Sequence, residues 1–192
     1  MYRLERSIYR KADALIFTMA GGKEYIQDKG WQDVIDLDKV HQINNGVDLR
    51  AFDENRERFQ IEDEDLQEKD RFRMVYVGSI RKANQLSVLL EAAKLIQQKG
   101  YSKIQFLIWG EGNEREALAQ SAQEEGIHNF ILKGFVAKQY IPYIVSNSDA
   151  NIVHWGNASL LKYGVSYNKL FDYLAAGRPI FSTVRPLSLI HI

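Results

Sequence analysis

Arg73-Met-Val-Tyr-Val-Gly-Ser-Ile-Arg-Lys-Ala-Asn84 is the stretch on which the fold turns. Residues 73 to 77 read as a strand, and Gly78 ends it. Beyond the loop, Leu86, Leu89, Leu90, Ala93 and Ile96 recur at helical spacing and predict a helix over 84–99. Ile104-Gln-Phe-Leu-Ile-Trp109 is a second strand, apolar almost throughout, as a strand covered on both faces must be. A helix over 113–125 starts with acidic residues, as the helix dipole favours, with Asn113 as N-cap and Glu116 three residues on. Next come a short strand at Phe130-Ile-Leu132, a helix over 138–147 and a strand at Ala150-Asn-Ile-Val153. A helix over 168–176, with Leu170, Phe171 and Leu174 as its buried face, leads into a strand at Pro179-Ile-Phe-Ser-Thr183. Strand and helix alternate with short connections. That pattern predicts an α/β, Rossmann-like parallel sheet with helices on both faces.

Working toward the amino end, residues 53–71 are dense in mostly acidic charge and read as a charged linker. Before them, Asp13-Ala-Leu-Ile-Phe17 and Lys39-Val-His-Gln-Ile43 read as strands, the second ending in the turn signal Asn44-Asn45-Gly46. The chain has 192 residues, 45% hydrophobic and 26% charged, which suits a well-buried domain with a small appendage and excludes disordered, collagen-like and coiled-coil chains. Twenty-five basic side chains balance twenty-five acidic ones. No global field draws in nucleic acid, so an anion site must be local. The absence of cysteine excludes disulfides, thiolate zinc sites and a cysteine nucleophile. No apolar run approaches the roughly 18 residues of a membrane span, and the first residues lack a signal-peptide core. A soluble, cytoplasmic protein is expected.

Ligands of such sheets bind at the carboxyl ends of the strands. After the first strand of the series, Gly78 and Ser79 let a ligand approach the backbone, and Arg81 and Lys82 could hold a phosphate, although taken alone they read first as solvated loop charges. Gly110-Glu111-Gly112 lacks the third glycine of a dinucleotide fingerprint and reads as a tight turn, with Gly110 left as a donor-pocket lining. Phe135 and Val136 could wall a base, or simply pack in a turn. Ser166 or Asn168 can cap the helix that follows, where Lys169 is a cation in a first turn that normally disfavours one. A phosphate at that helix start would explain it. Asp172, four residues after Asn168, could accept from sugar hydroxyls. The histidines form no metal set; His154 ends a strand on the ligand side, packed or functional. Neither a G-x-S-x-G elbow nor a phosphate-binding G-x-x-x-x-G-K loop is present.

In their joint order, these segments resemble the family-4 glycosyltransferases, retaining enzymes of the GT-B fold. Tyr9-Arg-Lys-Ala-Asp-Ala-Leu-Ile-Phe17 is similar to the close of that family's acceptor domain. Gln42-Ile-Asn-Asn-Gly-Val-Asp48 with Phe52 is similar to the crossover into its donor domain. Tyr76-Val-Gly-Ser79, Ile108-Trp-Gly-Glu-Gly112, Lys133-Gly-Phe-Val136 and Ser148-Asp-Ala150 follow in the family's order. Phe171-Asp-Tyr-Leu-Ala-Ala-Gly-Arg-Pro-Ile180 resembles its E-A-M-A-x-G-x-P-V segment. The Gly-Val-Ser-x-Asn-Lys form at 164–169 resembles a bacterial subgroup of surface-polysaccharide and amino-sugar transferases.

The resemblance implies transfer of a sugar, with retention, from a nucleoside-diphosphate sugar to a glycan or lipid-linked acceptor. Asp172 takes the place of the glutamate that holds the ribose, and Gly164 stands where the family's first glutamate would. The family's loop arginine and lysine fall on Ser79 and Asn84 and are unmatched, which leaves Arg81, Lys82 and Lys169 to meet the diphosphate, with Ser166 and Asn168 beside them. No protein nucleophile, essential metal or other cofactor is implied, and no nucleic-acid partner. The expected organisation is an acceptor-domain end and crossover over 1–52, the linker over 53–71, a truncated donor domain over 72–185 and a non-native tail over 186–192. Such a fragment is expected to be inactive alone, with any peripheral contact at the inner membrane face left to the missing amino-terminal domain. Readings that stay open are a non-catalytic nucleotide-sugar-binding module, a sugar-nucleotide epimerase of GT-B fold and a Rossmann dehydrogenase.

Overall fold

The structure, a computed structural model, describes residues 2–156, 159–164 and 166–183. The tail expected over 186–192 lies outside the described residues. Two compact units are present. The first comprises residues up to Gly46 together with the segment ending at Tyr167. Its elements are α1 (Tyr2–Lys11), β1 (Leu15–Phe17), α2 (Gly22–Asp28) and β2 (Val40–Gln42), and β1 and β2 pair in parallel. Ile26 and Ile35 are buried among the rings of Tyr25, Trp31 and Tyr163.

The second unit runs from Val47 to Gly156 and resumes at Asn168. Its elements are α3 (Leu49–Arg58), α4 (Glu64–Gln67), β3 (Phe72–Val77), α5 (Ser87–Gln98), β4 (Ile104–Trp109), α6 (Arg115–Glu124), β5 (Phe130–Gly134), α7 (Ile141–Ser146), β6 (Ala150–Val153), α8 (Asn168–Ala175) and β7 (Ile180–Ser182). The five strands form one parallel sheet in the order β5-β4-β3-β6-β7. This is the expected α/β class, and it follows from the burial pattern: Phe106 to Trp109 of β4 are all buried, and both faces of the strand are covered. Helix α5 turns Leu89, Leu90 and Ala93 into the core, as its periodicity predicts.

Residues 53–71 carry the end of α3 and all of α4. Leu66 is buried, and Asp63 and Asp65 both accept from Lys133 Nζ, at 2.8 and 2.6 Å. Burial pulls the Lys133 ammonium down, but the two carboxylates outweigh it and the net shift is upward. Beneath the sheet, Asp149 receives Arg73 Nε and Nη2 at 2.8 and 3.0 Å and the Arg73 amide at 2.8 Å, so one carboxylate joins the start of β3 to the approach to β6.

Candidate functional site

From β3 the chain steps outward through β4 to β5, then returns to place β6 on the other side of β3. That reversal is the switch point at which open α/β sheets form their ligand crevice. Here the crevice is visible in the pairing. Strand β3 pairs with β4 through Val77, but with β6 only at Met74 and Val75. Past those two positions β3 and β6 part. The Val77 N–H instead donates to Tyr173 Oη at 2.9 Å, so α8 supplies the partner that β6 does not. Tyr173 is fully buried, and burial pushes its hydroxyl far above the usual tyrosine range. This turns α8: its buried face is Leu170 and Tyr173, while Leu174 is exposed, in place of the expected Leu170, Phe171 and Leu174.

Tyr173 also fixes the start of α8 beside the end of β3. Lys169, second residue of the helix, lies with Nζ 3.9 Å from the centre of the Tyr76 ring. A Cβ at Gly78 would meet that Nζ and displace the end of the lysine, so the two lie directly against each other. Among the described residues no carboxylate is within ion-pair distance of it. Burial without a counter-charge lowers its ammonium to about 7. The arrangement is a cation at a helix start, beside the end of β3 and, among the described residues, without an anion.

The β3–α5 loop is closed on itself. Asn84 Nδ2 donates to Ser79 Oγ at 3.0 Å, to Tyr76 Oη at 3.1 Å and to the Ser79 carbonyl, while the Tyr76 hydroxyl donates to that same carbonyl at 3.0 Å. Ser79 and Asn84, where the family resemblance would place two cations, thus form a neutral pair. Gly110 and Gly112 lie against this loop, because added side chains would meet the carbonyl oxygens of Gly78 and Ile80. Backbone bonds from Gly78 to Trp109 and from Ile80 to Glu111 zip the two loops together. The Glu114 N–H donates to Ile80, and α6 starts after Glu114 with no side-chain cap, so the expected Asn113 cap does not form.

The other candidates are placed as follows. Arg81 and Lys82 are exposed and line a cavity of about 290 Å³ with Gln85, Ser87 and Glu114; Lys169 is not part of it. Asp172 is half-buried on α8, and burial raises its carboxyl while Lys138 opposes that shift. Phe135, just past β5, is 75% exposed, and Val136 is half-buried. Asn168 opens α8, whereas Ser166 belongs to the first unit, where its hydroxyl accepts from Asn45 at 2.9 Å. Gly164 has φ +98°, a conformation in which a glutamate would be strained. His154, 5% exposed, has both ring nitrogens engaged. Tyr76, which lies under Lys169, and Tyr173, which bonds the Val77 N–H, are neighbours of the candidate site whose place the sequence does not announce; a hydroxyl-bearing ring at a core position is the available signal. Among the described residues, no cluster could hold a metal ion and no helix is long and apolar enough to cross a membrane.

Solved structures share this fold. Sucrose-phosphate synthase from Thermosynechococcus elongatus aligns with TM-score 0.70 and 19% identity over 99% of this chain and 45% of its own. Anabaena HepE, in complex with UDP and glucose, aligns with TM-score 0.68 and 15% identity over 94% and 47%. WaaG, a glycosyltransferase involved in lipopolysaccharide biosynthesis, aligns with TM-score 0.64 and 15% identity over 95% and 48%. The chain therefore spans about half the length of these structures. No curated protein sequence is significantly similar to it. Residues 57–156, more than half of the chain, match the family described as glycosyl transferases group 1. With strand order, crevice and this match in agreement, the chain belongs to the group 1 glycosyl transferases.

Proposed function

We propose that the second unit is the donor-binding half of a retaining, family-4 glycosyltransferase. It takes a nucleoside-diphosphate sugar, and the whole protein delivers the sugar to a glycan or lipid-linked acceptor of the cell surface. One observation carries the reading: Lys169, a cation without an anion among the described residues, stands at the start of α8 by the switch point beside Gly78. A departing diphosphate supplies the missing charge, and the lysine with the N–H groups of the helix start stabilises it as the glycosidic bond breaks. Asp172 holds ribose hydroxyls, Asn168 flanks the phosphates, and the exposed Phe135 with Val136 meets the base. Arg81 and Lys82, which line a separate cavity, act at the outer rim. UDP is the favoured nucleotide, since HepE was solved with it. The surface-polysaccharide role has its support in WaaG. The reading assigns no task to a metal or cofactor.

Calorimetric titration with UDP, UDP-N-acetylhexosamines, GDP and NAD, without added metal, tests it. Lys169→Ala is expected to weaken a nucleoside diphosphate at least about tenfold, or 1.4 kcal/mol. Binding of NAD alone, or binding that requires a divalent ion, would count against it. A folded chain that binds no nucleotide would refute the donor-site assignment.

A further inference from the structure

Among the described residues His154 is the histidine nearest in sequence to α8, and nothing in the donor-site reading uses it. It follows the last residue of β6 and is buried. Its Nε2 is 3.1 Å from the carbonyl of Gln85, and its Nδ1 is 2.7 Å from Thr183 Oγ1. A carbonyl only accepts, so Nε2 must carry the proton. In the neutral ring Nδ1 then accepts from the Thr183 hydroxyl. Burial lowers the ring's proton affinity and the bond to the Gln85 carbonyl raises it; with the nearby Lys169 charge added to burial the net shift is downward, which favours this neutral form. One imidazole therefore joins three strand ends: its own, the loop after β3 and the residue after β7.

Gln85 is where such a fastening is needed. Among the described residues it is the only non-glycine with positive φ, at φ 48° and ψ 47°. Residues with a Cβ persist in that region when the surroundings hold them there. Gly156 completes the attachment. Its N–H donates to the Ala83 carbonyl at 3.2 Å, and a side chain there would strike that carbonyl oxygen and the Gln85 side chain. The same loop carries Ser79 and Asn84, whose bonds close over Tyr76, the ring on which Lys169 rests.

We propose that His154 is a positioning residue of the crevice: its Nε2–H clamps the Gln85 carbonyl and keeps the 78–86 loop in the shape that seats Lys169 beside Gly78. This rests on the reading of the crevice as the diphosphate site. Three variants separate it from a packing role. Glutamine can reproduce the Nε2 donor, asparagine only the Nδ1 side, and alanine neither. Amide hydrogen exchange over residues 83–86 is measured without ligand, and UDP-N-acetylglucosamine binding by calorimetry, each beside a thermal melt. His154→Ala and His154→Asn are expected to exchange and to release the ligand at least about tenfold more readily, with His154→Gln within about twofold of wild type. Should His154→Ala not fold, the asparagine and glutamine pair carries the comparison. Unchanged exchange in the asparagine variant, or a glutamine variant as impaired as it, overturns the proposal. A wild-type chain that fails to bind the nucleotide sugar refutes the donor-site reading instead, and exchange alone then decides whether His154 clamps the loop.

Discussion

Removing a proton from Lys169 should act like removing the side chain. Its ammonium sits at about 7 because it is buried over the Tyr76 ring without a counter-charge. A bound diphosphate would keep it charged, so affinity should follow the fraction protonated in the free protein. For a group at 7 that fraction falls from about nine-tenths at pH 6 to about one-eleventh at pH 8, so the Kd should rise about tenfold over the interval. UDP-N-acetylglucosamine is the ligand to use, because the terminal phosphate of UDP itself titrates at about 6. The tyrosines stay neutral throughout, since burial raises Tyr76 to about 12 and Tyr173 still higher. His154, lowered by burial, and Asp172, raised by burial, also titrate in the second unit. Lys169→Met is therefore measured in parallel, by calorimetry at constant ionic strength, and should bind weakly with a flat profile. A flat profile in the wild type, or a slope that survives in the variant, would refute the assignment. Stability gives an independent sign. The unfolded chain holds this proton up to the ordinary lysine value of about 10.4, so stability contributed by this group rises between pH 7 and that value. The methionine variant should lose that rise.

Three further expectations concern groups around the crevice and beneath it. Tyr173→Phe leaves the buried Val77 N–H without an acceptor and should cost about 1–3 kcal/mol in urea unfolding, with faster exchange of the Val77 amide; unchanged stability would mean that water or β6 replaces the hydroxyl. Asp149→Ala should cost about 2 kcal/mol at pH 7, discounted for the partial exposure of the pair. Arg73 holds that carboxyl below the usual range, so its contribution is complete above about 3.9 and fades as pH falls through the lowered folded value; wild type and variant should converge in acid, and a constant difference down to pH 2 would contradict it. Phe135→Ala should leave the melting temperature unchanged, because the ring is 75% exposed, yet weaken UDP about tenfold if it stacks on the base.

What the sequence revealed and what it hid divide by range. The strand and helix series was legible because periodicity is local: Leu86, Leu89, Leu90 and Ala93 announce the buried face of α5 wherever the helix packs. The position of a cation is not local. Arg81 and Lys82 follow the glycine of a ligand loop and read as its phosphate contacts, yet the inner side of that loop is filled by the Ser79–Asn84 pair and by the close approach of Gly110 to Gly78. Both cations therefore turn to a cavity lined by Glu114, a residue no spacing rule connects to them. The acidic run at 53–71 hid its purpose in the same way, since the lysine that Asp63 and Asp65 hold lies about 70 residues on, in β5. Lys169 was visible because it breaks a local rule, a base in a first helical turn. What brings it beside Gly78 is a tertiary event: β3 pairs with β6 at two positions only, Tyr173 accepts from the Val77 N–H beyond them, and the helix that carries the lysine is held at that strand end. A neutral loop pair on one side and, among the described residues, an ammonium with no carboxylate partner on the other put the positive charge of the crevice on Lys169, and the pH profile is where that asymmetry must appear.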